Sequence, residues 1–460
     1  MHTDKTPHSA SPSLIDRRKF LQTGSLAAGA FAFGVPALLR GQNLNSKLNI
    51  ACIGIGGKGR SDTDACAGEN IVALCDVDSG SEAYEIQTKK YPGAKVYKDF
   101  RQMLDQMGSQ IDAVTVSTPD HMHAIIASAA MKRHKAVFCQ KPLTQTIYEA
   151  RYLRKMAHDK KIVTQMGNQG SAADGLRRAV ETIQDGLIGQ VHEVHVWTNR
   201  PIWPQAMERP AGSDPVPATL DWDIWIGPAP MRPYIGSHNP DVRDGIYEPF
   251  NWRGWQDFGT GALGDMGCHT ANLLFRALKL DTVYPTSVEG KAIDLNEETY
   301  PSWATVVYEF PARGDMPPVK VTWYDGDARP PQEVQALVGP RKIPGQGSIF
   351  IGTKGVVLLP HTAMPMLFPE DQFKGFELPK AESNNHYHQF VDAVLGDAKV
   401  STPFDYAGPL TEAVLLGPLA SRFPKTTLEW DSAHLKFRNS PEATAFVRRR
   451  YRSGWEVKGL

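Results

Sequence analysis

A chain of 460 residues is too long for one ordinary hydrophobic core, which argues for two domains. Its fifty basic and fifty acidic side chains balance, giving no electrostatic reason to expect nucleic acid, and the one basic cluster, Arg448, Arg449, Arg450 and Arg452, reads as a solvated helix face. The five cysteines imply no disulfide framework, because the number is odd and Cys52, Cys75 and Cys139 lie in apolar strand-like runs where a thiol behaves as a small hydrophobe.

Residues 1–46 do not belong to the fold. Arg17 and Arg18, within Asp16 to Leu21, precede an Ala, Gly, Leu and Phe stretch that reaches Leu39, the form of a twin-arginine export signal. That stretch is too short and glycine-rich to span a membrane. The expected location is therefore the periplasm, and because no clean A-x-A cleavage site follows, anchoring by an uncleaved signal stays open.

From Lys47 the pattern becomes that of a dinucleotide-binding unit. Leu48 to Ile53 is an apolar run ending in Gly54, Gly56, Gly57, Lys58 and Gly59, and a second run, Ile71 to Cys75, ends in Asp76. This reads as strand, glycine turn, helix, strand. Gly54 suits the tight turn, Gly56 close approach of backbone to a pyrophosphate, and Gly59 the packing of helix on strand. Asp76, about 20 residues after the first glycine, is placed to accept hydrogen bonds from the adenosine ribose, which favours NAD over NADP. Further strands are expected at Ala94–Tyr97, Ile111–Ser117, Ala136–Cys139 and Ile162–Met166, with helices at Phe100–Met107, His123–Arg133 and Ile147–His158. Such alternation signals a doubly wound parallel sheet, whose ligands collect beyond the carboxyl ends of the strands. Thr118, Pro119, Asp120 and His123 lie past one such end, and Gln140, Lys141 and Pro142 past the next, so both groups are expected to border the nicotinamide.

The glycine turn, the T-P-x-x-x-H arrangement of Thr118, Pro119 and His123, and Lys141 with Pro142 together resemble the Gfo/Idh/MocA family of glucose-fructose oxidoreductase and inositol dehydrogenase. The resemblance implies a Rossmann domain over 47–166, then a substrate and oligomerisation domain over 167–435. It implies an α+β second domain on a large open, mostly antiparallel sheet, a returning helical segment near 384–396, and a tail over 436–460. The family motif is Glu-Lys-Pro, whereas here Gln140 stands in the glutamate's place.

After Gly167 the composition shifts. Trp197, Trp203, Trp222, Trp225, Trp252 and Trp255 fall among prolines and glycines, either as stacking surfaces for a sugar or as core anchors. Gly259, Gly261 and Gly264 then lead into Asp265 and His269, four residues apart and on one face if a helix has begun. This D-x-x-x-H pair matches the catalytic aspartate and histidine of the inositol dehydrogenase type. Strands are expected at Ser287–Ala292, Ala304–Phe310, Val319–Tyr324 and Gly347–Leu359, forming an open sheet suited to a dimer face in a homodimer or tetramer. The histidine pairs His121/His123 and His386/His388 lack further ligands at metal-binding spacing, so no metal site is assigned.

Resemblance joined to chemistry gives His269 as general base, Lys141 as the cation holding the reacting hydroxyl, and Asp265 as its orienting partner. Three function classes follow: an NAD-dependent oxidoreductase acting on a sugar, polyol or glycoside hydroxyl; an NAD-dependent glycoside-cleaving enzyme working by transient oxidation and elimination; and a non-catalytic NAD or sugar sensor. Glycosidases of the second kind carry a tyrosine and histidine motif in place of D-x-x-x-H, and joint retention of Lys141, Asp265 and His269 argues against the third. An exported enzyme meets no evident supply of free NAD, so its cofactor is expected to be loaded in the cytoplasm and tightly retained.

Overall fold

A computed structural model describes residues 47–236, 245–381 and 384–460; the segment read from the sequence as an export signal lies outside them. Six strands pair all-parallel in the order β3-β2-β1-β4-β5-β6: β1 (Asn49–Ile53), β2 (Asn70–Cys75), β3 (Lys95–Tyr97), β4 (Ala113–Val116), β5 (Ala136–Cys139) and β6 (Thr164–Met166). The short apolar runs make this sheet because helices cover both its faces, so alternation with polar residues is not required. Those helices are α1 (Gly57–Ala65), α2 (Glu82–Lys90), α3 (Phe100–Met107), α4 (Asp120–Lys132) and α5 (Ile147–Lys160). In α3, Phe100, Met103, Leu104 and Met107 recur at helical spacing and are all buried. Strand order reverses between β1 and β4, which puts a crevice at their carboxyl ends.

After α6 (Asp174–Gln184) the chain builds a second sheet of nine strands, ordered β13-β12-β11-β7-β10-β9-β8-β14-β15. They are β7 (Val191–Trp197), β8 (Ser287–Ala292), β9 (Ala304–Phe310), β10 (Val319–Tyr324), β11 (Gly347–Gly352), β12 (Val356–Pro360), β13 (Met366–Phe368), β14 (Thr427–Asp431) and β15 (Lys436–Phe437). β7 and β10 run parallel, and the other pairings are antiparallel. The single strand expected over Gly347–Leu359 is instead a hairpin, because Gly352 N–H donates to Gly355 O at 2.9 Å and turns the chain between β11 and β12.

Among the described residues the further helices longer than five residues are α7 (Gly261–Thr270), α8 (Asn272–Ala277), α9 (His386–Leu395) and α10 (Phe404–Ala420). α10 is buried along nearly its whole length and packs on α5, α7 and β8, so one apolar helix clamps elements from both halves. Its one acidic group in mid-helix, Glu412, meets Arg151 of α5 in a forked ion pair of 2.7 and 2.8 Å, which offsets only part of the cost of burial, since the carboxyl is still pushed up to about 7. α9 crosses back onto the first sheet, where Phe390 and Val391 join Ile50, Leu74 and Phe138 in one apolar cluster.

One expectation is corrected here and one open alternative is decided. The arginine cluster is not a helix face: residues 448–452 are irregular, Arg448 donates to Leu460 O at 2.5 Å, Arg449 to Gln145 and Arg452 to Gly227 O at 2.9 Å. The six tryptophans between positions 197 and 255 are all buried, and Trp222, Trp225, Trp252 and Trp255 form one aromatic cluster with Tyr247 and Phe258. They hold the long loops together, each indole being too large to leave in water. Among the described residues no helix is long and apolar enough to cross a membrane.

Candidate active site

The glycine turn after β1 has the conformation a dinucleotide requires. Gly54 sits at φ +76°, and a Cβ there would lie 2.8 Å from the Ser117 carbonyl. A Cβ on Gly59 would lie 1.8 Å from Gly54 O, so the helix can approach the strand only without a side chain. Gly56 caps α1 without a side-chain hydrogen bond, and no atom crowds the position over Gly57, so the first amides of α1 are open to a phosphate. Asp76 is more occupied than expected. Its Oδ2 accepts from Ile55 N–H at 2.8 Å and Gly56 N–H at 3.3 Å, and its Oδ1 from Asp78 N–H at 3.1 Å. Asp76 thus braces the turn from below, while Oδ1 keeps acceptor capacity for a ribose hydroxyl. At the end of β4, Thr118 Oγ1 is buried with no partner, an orphaned hydroxyl that a bound ligand can satisfy. Cradle, acceptor and orphaned hydroxyl together fit a dinucleotide.

Lys141, just past β5, and Asp265, in the second turn of α7, are brought together from a separation of 124 residues. Lys141 Nζ donates to Asp265 Oδ1 at 2.7 Å and to Asp265 O at 2.8 Å. His269 lies one turn further along α7, and neither ring nitrogen has a hydrogen-bond partner among the described residues. Burial and the neighbouring Lys141 charge push the imidazole down to about 3, so it is neutral at physiological pH. Asp265 has the opposite fate: burial alone raises its pKa, but Lys141 and Arg253 outweigh it and hold the carboxyl below the usual range.

Two further residues join them, Arg253, not singled out from the sequence, and Asp120, already expected beside the nicotinamide; Asn168 lies past a neighbouring strand end. Arg253 Nε donates to Asp265 Oδ1 at 3.3 Å, its guanidinium lying between the rings of Trp252 and Phe250, 4.3 and 4.4 Å from their centroids. Asp120, first residue of α4, accepts from Thr260 Oγ1 at 2.7 Å, and burial pushes its carboxyl up to about 7. Asn168, just beyond β6, has both side-chain polar atoms buried and unpartnered. The Trp252-Arg253 sequence within an aromatic loop was the available signal for the first, and position after a strand end for the other two.

Two expected cofactor contacts are corrected. His123 is 1% exposed and its ring spans two carbonyl oxygens, Thr118 O and Pro142 O, each at 2.8 Å, so it ties the β4 and β5 loops together from behind. Gln140 is also buried, its Nε2 donating to Asp62 Oδ2 at 2.8 Å. Lys58 points along α1 to Asp62 and to Tyr387 Oη, at 2.6 and 2.8 Å, with its side chain still 42% exposed. A cavity of about 700 Å³ lined by Gln145, Tyr300, Arg422 and Phe446 contains none of the clustered groups, and the chemistry is assigned to the cluster because the titratable groups meet there.

Residues 48–168 match the Gfo/Idh/MocA oxidoreductase family's NAD-binding Rossmann fold, and residues 182–318 its C-terminal alpha/beta domain. The chain belongs to this family. A stretch of 153 residues is 29% identical to an inositol 2-dehydrogenase of Salmonella paratyphi B, covering 32% of this chain and 45% of that protein. A levoglucosan dehydrogenase of Pseudarthrobacter phenanthrenivorans is 26% identical over 157 residues, 31% of this chain and 39% of its own. The chain therefore matches less than half the length of these curated relatives. Among solved structures, the WlbA dehydrogenase of Bordetella pertussis, in complex with NADH and UDP-GlcNAcA, superposes with a TM-score of 0.57 at 16% identity, covering 84% of this chain and 99% of that one. A levoglucosan dehydrogenase in complex with NADH and levoglucosan gives 0.57 at 16%, covering 83% and 99%. At such identity the likeness is one of fold.

Proposed function

We propose that the protein is an NAD-dependent oxidoreductase acting on a CH–OH group of a sugar, polyol or glycoside. The observation that carries this is the meeting of Lys141, Asp265 and His269 beyond the carboxyl ends of a dinucleotide-binding sheet. Bound NAD would supply the acceptor for the hydride of the carbinol carbon. The protein handles the proton. An ammonium has three N–H donors and Lys141 spends two on Asp265, leaving the third for the substrate oxygen, where its charge stabilises a developing alkoxide. Neutral His269 has a free ring nitrogen to take the hydroxyl proton. Asp265, kept ionised by Lys141 and Arg253, fixes the ammonium's direction. The names of the curated relatives, inositol and levoglucosan dehydrogenases, support the substrate class.

Two finer statements belong to the same reading. The arginine pair Arg17-Arg18 supports twin-arginine export, and export of a folded protein supports a cofactor loaded beforehand and retained through a redox-neutral cycle. The test is incubation of the purified protein with a panel of sugars, polyols and glycosides, with and without added NAD, alongside mass spectrometry of protein purified from the periplasmic or membrane fraction. Carbonyl product or exchange between two sugars supports the proposal. Glycoside cleavage without net oxidation, or binding without any turnover, overturns it, and an exported protein that is empty until NAD is added overturns the retained cofactor.

A further inference from the structure

Asp62, in α1, has a fully enclosed side chain, 0% exposed, on which four donors converge. Lys58 Nζ and Tyr387 Oη donate to Oδ1, each at 2.6 Å; Ser117 Oγ at 2.7 Å and Gln140 Nε2 at 2.8 Å donate to Oδ2. The donors come from the dinucleotide turn, the first turn of α9, the end of β4, and the end of β5 one residue before Lys141. An ionised carboxylate accepts only, so each neighbour must donate. Here lies a reason for the departure from Glu-Lys-Pro. Glutamate at position 140 would set oxygen against oxygen where Gln140 Nε2 now lies 2.8 Å from Asp62. The Gln140 amide packs over the bare backbone of Gly167, where an added Cβ would lie 2.6 Å from Gln140 Cδ.

We propose that Asp62 and Gln140 form a matched acceptor–donor pair that keeps Lys141 in register with the dinucleotide turn. Both are positioning residues. Asp62 ties the first turn of α1 to the loop that carries Lys141, so a shift of either end is felt at the other. The pair's role rests on the dinucleotide reading of the glycine turn.

The test measures NAD binding by tryptophan fluorescence and the thermal midpoint, on the full chain, at about pH 8 and about pH 5.5. Gln140→Glu places two carboxylates in contact, so one must hold a proton and its pKa rises. Stability given by that proton is present at low pH and lost as pH rises through the raised value. NAD binding is therefore expected to weaken on the order of tenfold at the higher pH, with a lowered midpoint, and both recover at the lower pH. Asp62→Asn with Gln140→Glu swaps donor and acceptor across the same contact and restores both at the higher pH. Gln140→Met, which removes the donor without adding charge, weakens NAD binding equally at both. Parent-like NAD affinity of Gln140→Glu at the higher pH overturns the positioning role, and a double variant no better than the single overturns the pairing. Should Gln140→Glu fail to fold at the higher pH, recovery of folding and NAD binding in the double variant supports the pairing, no recovery overturns it, and parent-like NAD affinity of Gln140→Met overturns the positioning role. If the parent itself binds no NAD, the dinucleotide reading fails, and the midpoints of the single and double variants decide the pairing alone.

Discussion

Replacing Lys141 with methionine keeps most of the stem and deletes the ammonium. The parent contact comprises a 2.7 Å hydrogen bond to the Asp265 carboxylate and a 2.8 Å one to its backbone carbonyl, the two side chains being only 15% and 13% exposed. Removing one partner of a buried pair costs about 3–5 kcal/mol. Arg253 Nε remains 3.3 Å from the same Oδ1 and offsets part of this, leaving an expected loss of about 2–3 kcal/mol near neutral pH. The loss has a predictable sign with pH. In the parent, Lys141 and Arg253 outweigh burial and hold the Asp265 carboxyl below its ordinary range, so it contributes stability above the unfolded-state pKa that is lost as pH falls through the folded one. Without Lys141 the burial penalty gains on the remaining Arg253. The folded pKa rises, and the variant's deficit is largest at about pH 8 and shrinks toward about pH 4. Urea unfolding of parent and variant across that range is the assay. A deficit that does not change with pH, or no deficit, refutes the idea that the ammonium compensates a buried Asp265 charge.

His269→Ala is expected to lower turnover by roughly 10²- to 10⁴-fold while leaving the NAD dissociation constant near that of the parent, measured by stopped-flow kinetics and fluorescence titration. Gly59→Ala drives a methyl to 1.8 Å from Gly54 O, so the turn must open; NAD binding should fall sharply and the fold lose about 1–3 kcal/mol in a denaturant titration. Asp76 at the end of β2 predicts that cofactor-free protein binds NAD more tightly than NADP, since a 2′-phosphate would meet like charge, and equal or tighter NADP binding contradicts the assignment.

Much of the first domain is legible in the sequence because its signals are local. Apolar runs punctuated by glycine and aspartate give strand ends directly, and β1 through β6 follow from them. The hairpin of β11 and β12 is hidden because Ile349 to Leu359 is apolar on both sides of a two-glycine break, which alternation alone does not register. β7, Val191–Trp197, carries polar His192, Glu193 and His195 and so lacks the continuous apolar run of the earlier strands, although it sits at the centre of the second sheet. In the site, Asp265 and His269 are readable as one helical face. Their approach to Lys141 is not, because it depends on α10 clamping α5 against α7, a contact no spacing reveals. Arg253 hides within a tryptophan cluster whose bulk suggests sugar stacking. The burial of Gln140 and His123 is equally illegible, since a polar residue past a strand end reads as exposed until the partner that encloses it, Asp62 or the Pro142 carbonyl, is known.

Hydride leaving a carbinol carbon at the Lys141, Asp265 and His269 cluster is tested most directly by transfer of label. Protein carrying NAD is incubated with a panel of sugars and glycosides deuterated at their ring carbons, and the dinucleotide is released and weighed by mass spectrometry. The parent should yield deuterated dinucleotide with at least one member of the panel, whether or not the net reaction is an oxidation, and Lys141→Met should yield none. Label appearing equally with Lys141→Met, or a substrate consumed by the parent with no label ever reaching the dinucleotide, would contradict hydride transfer at this cluster.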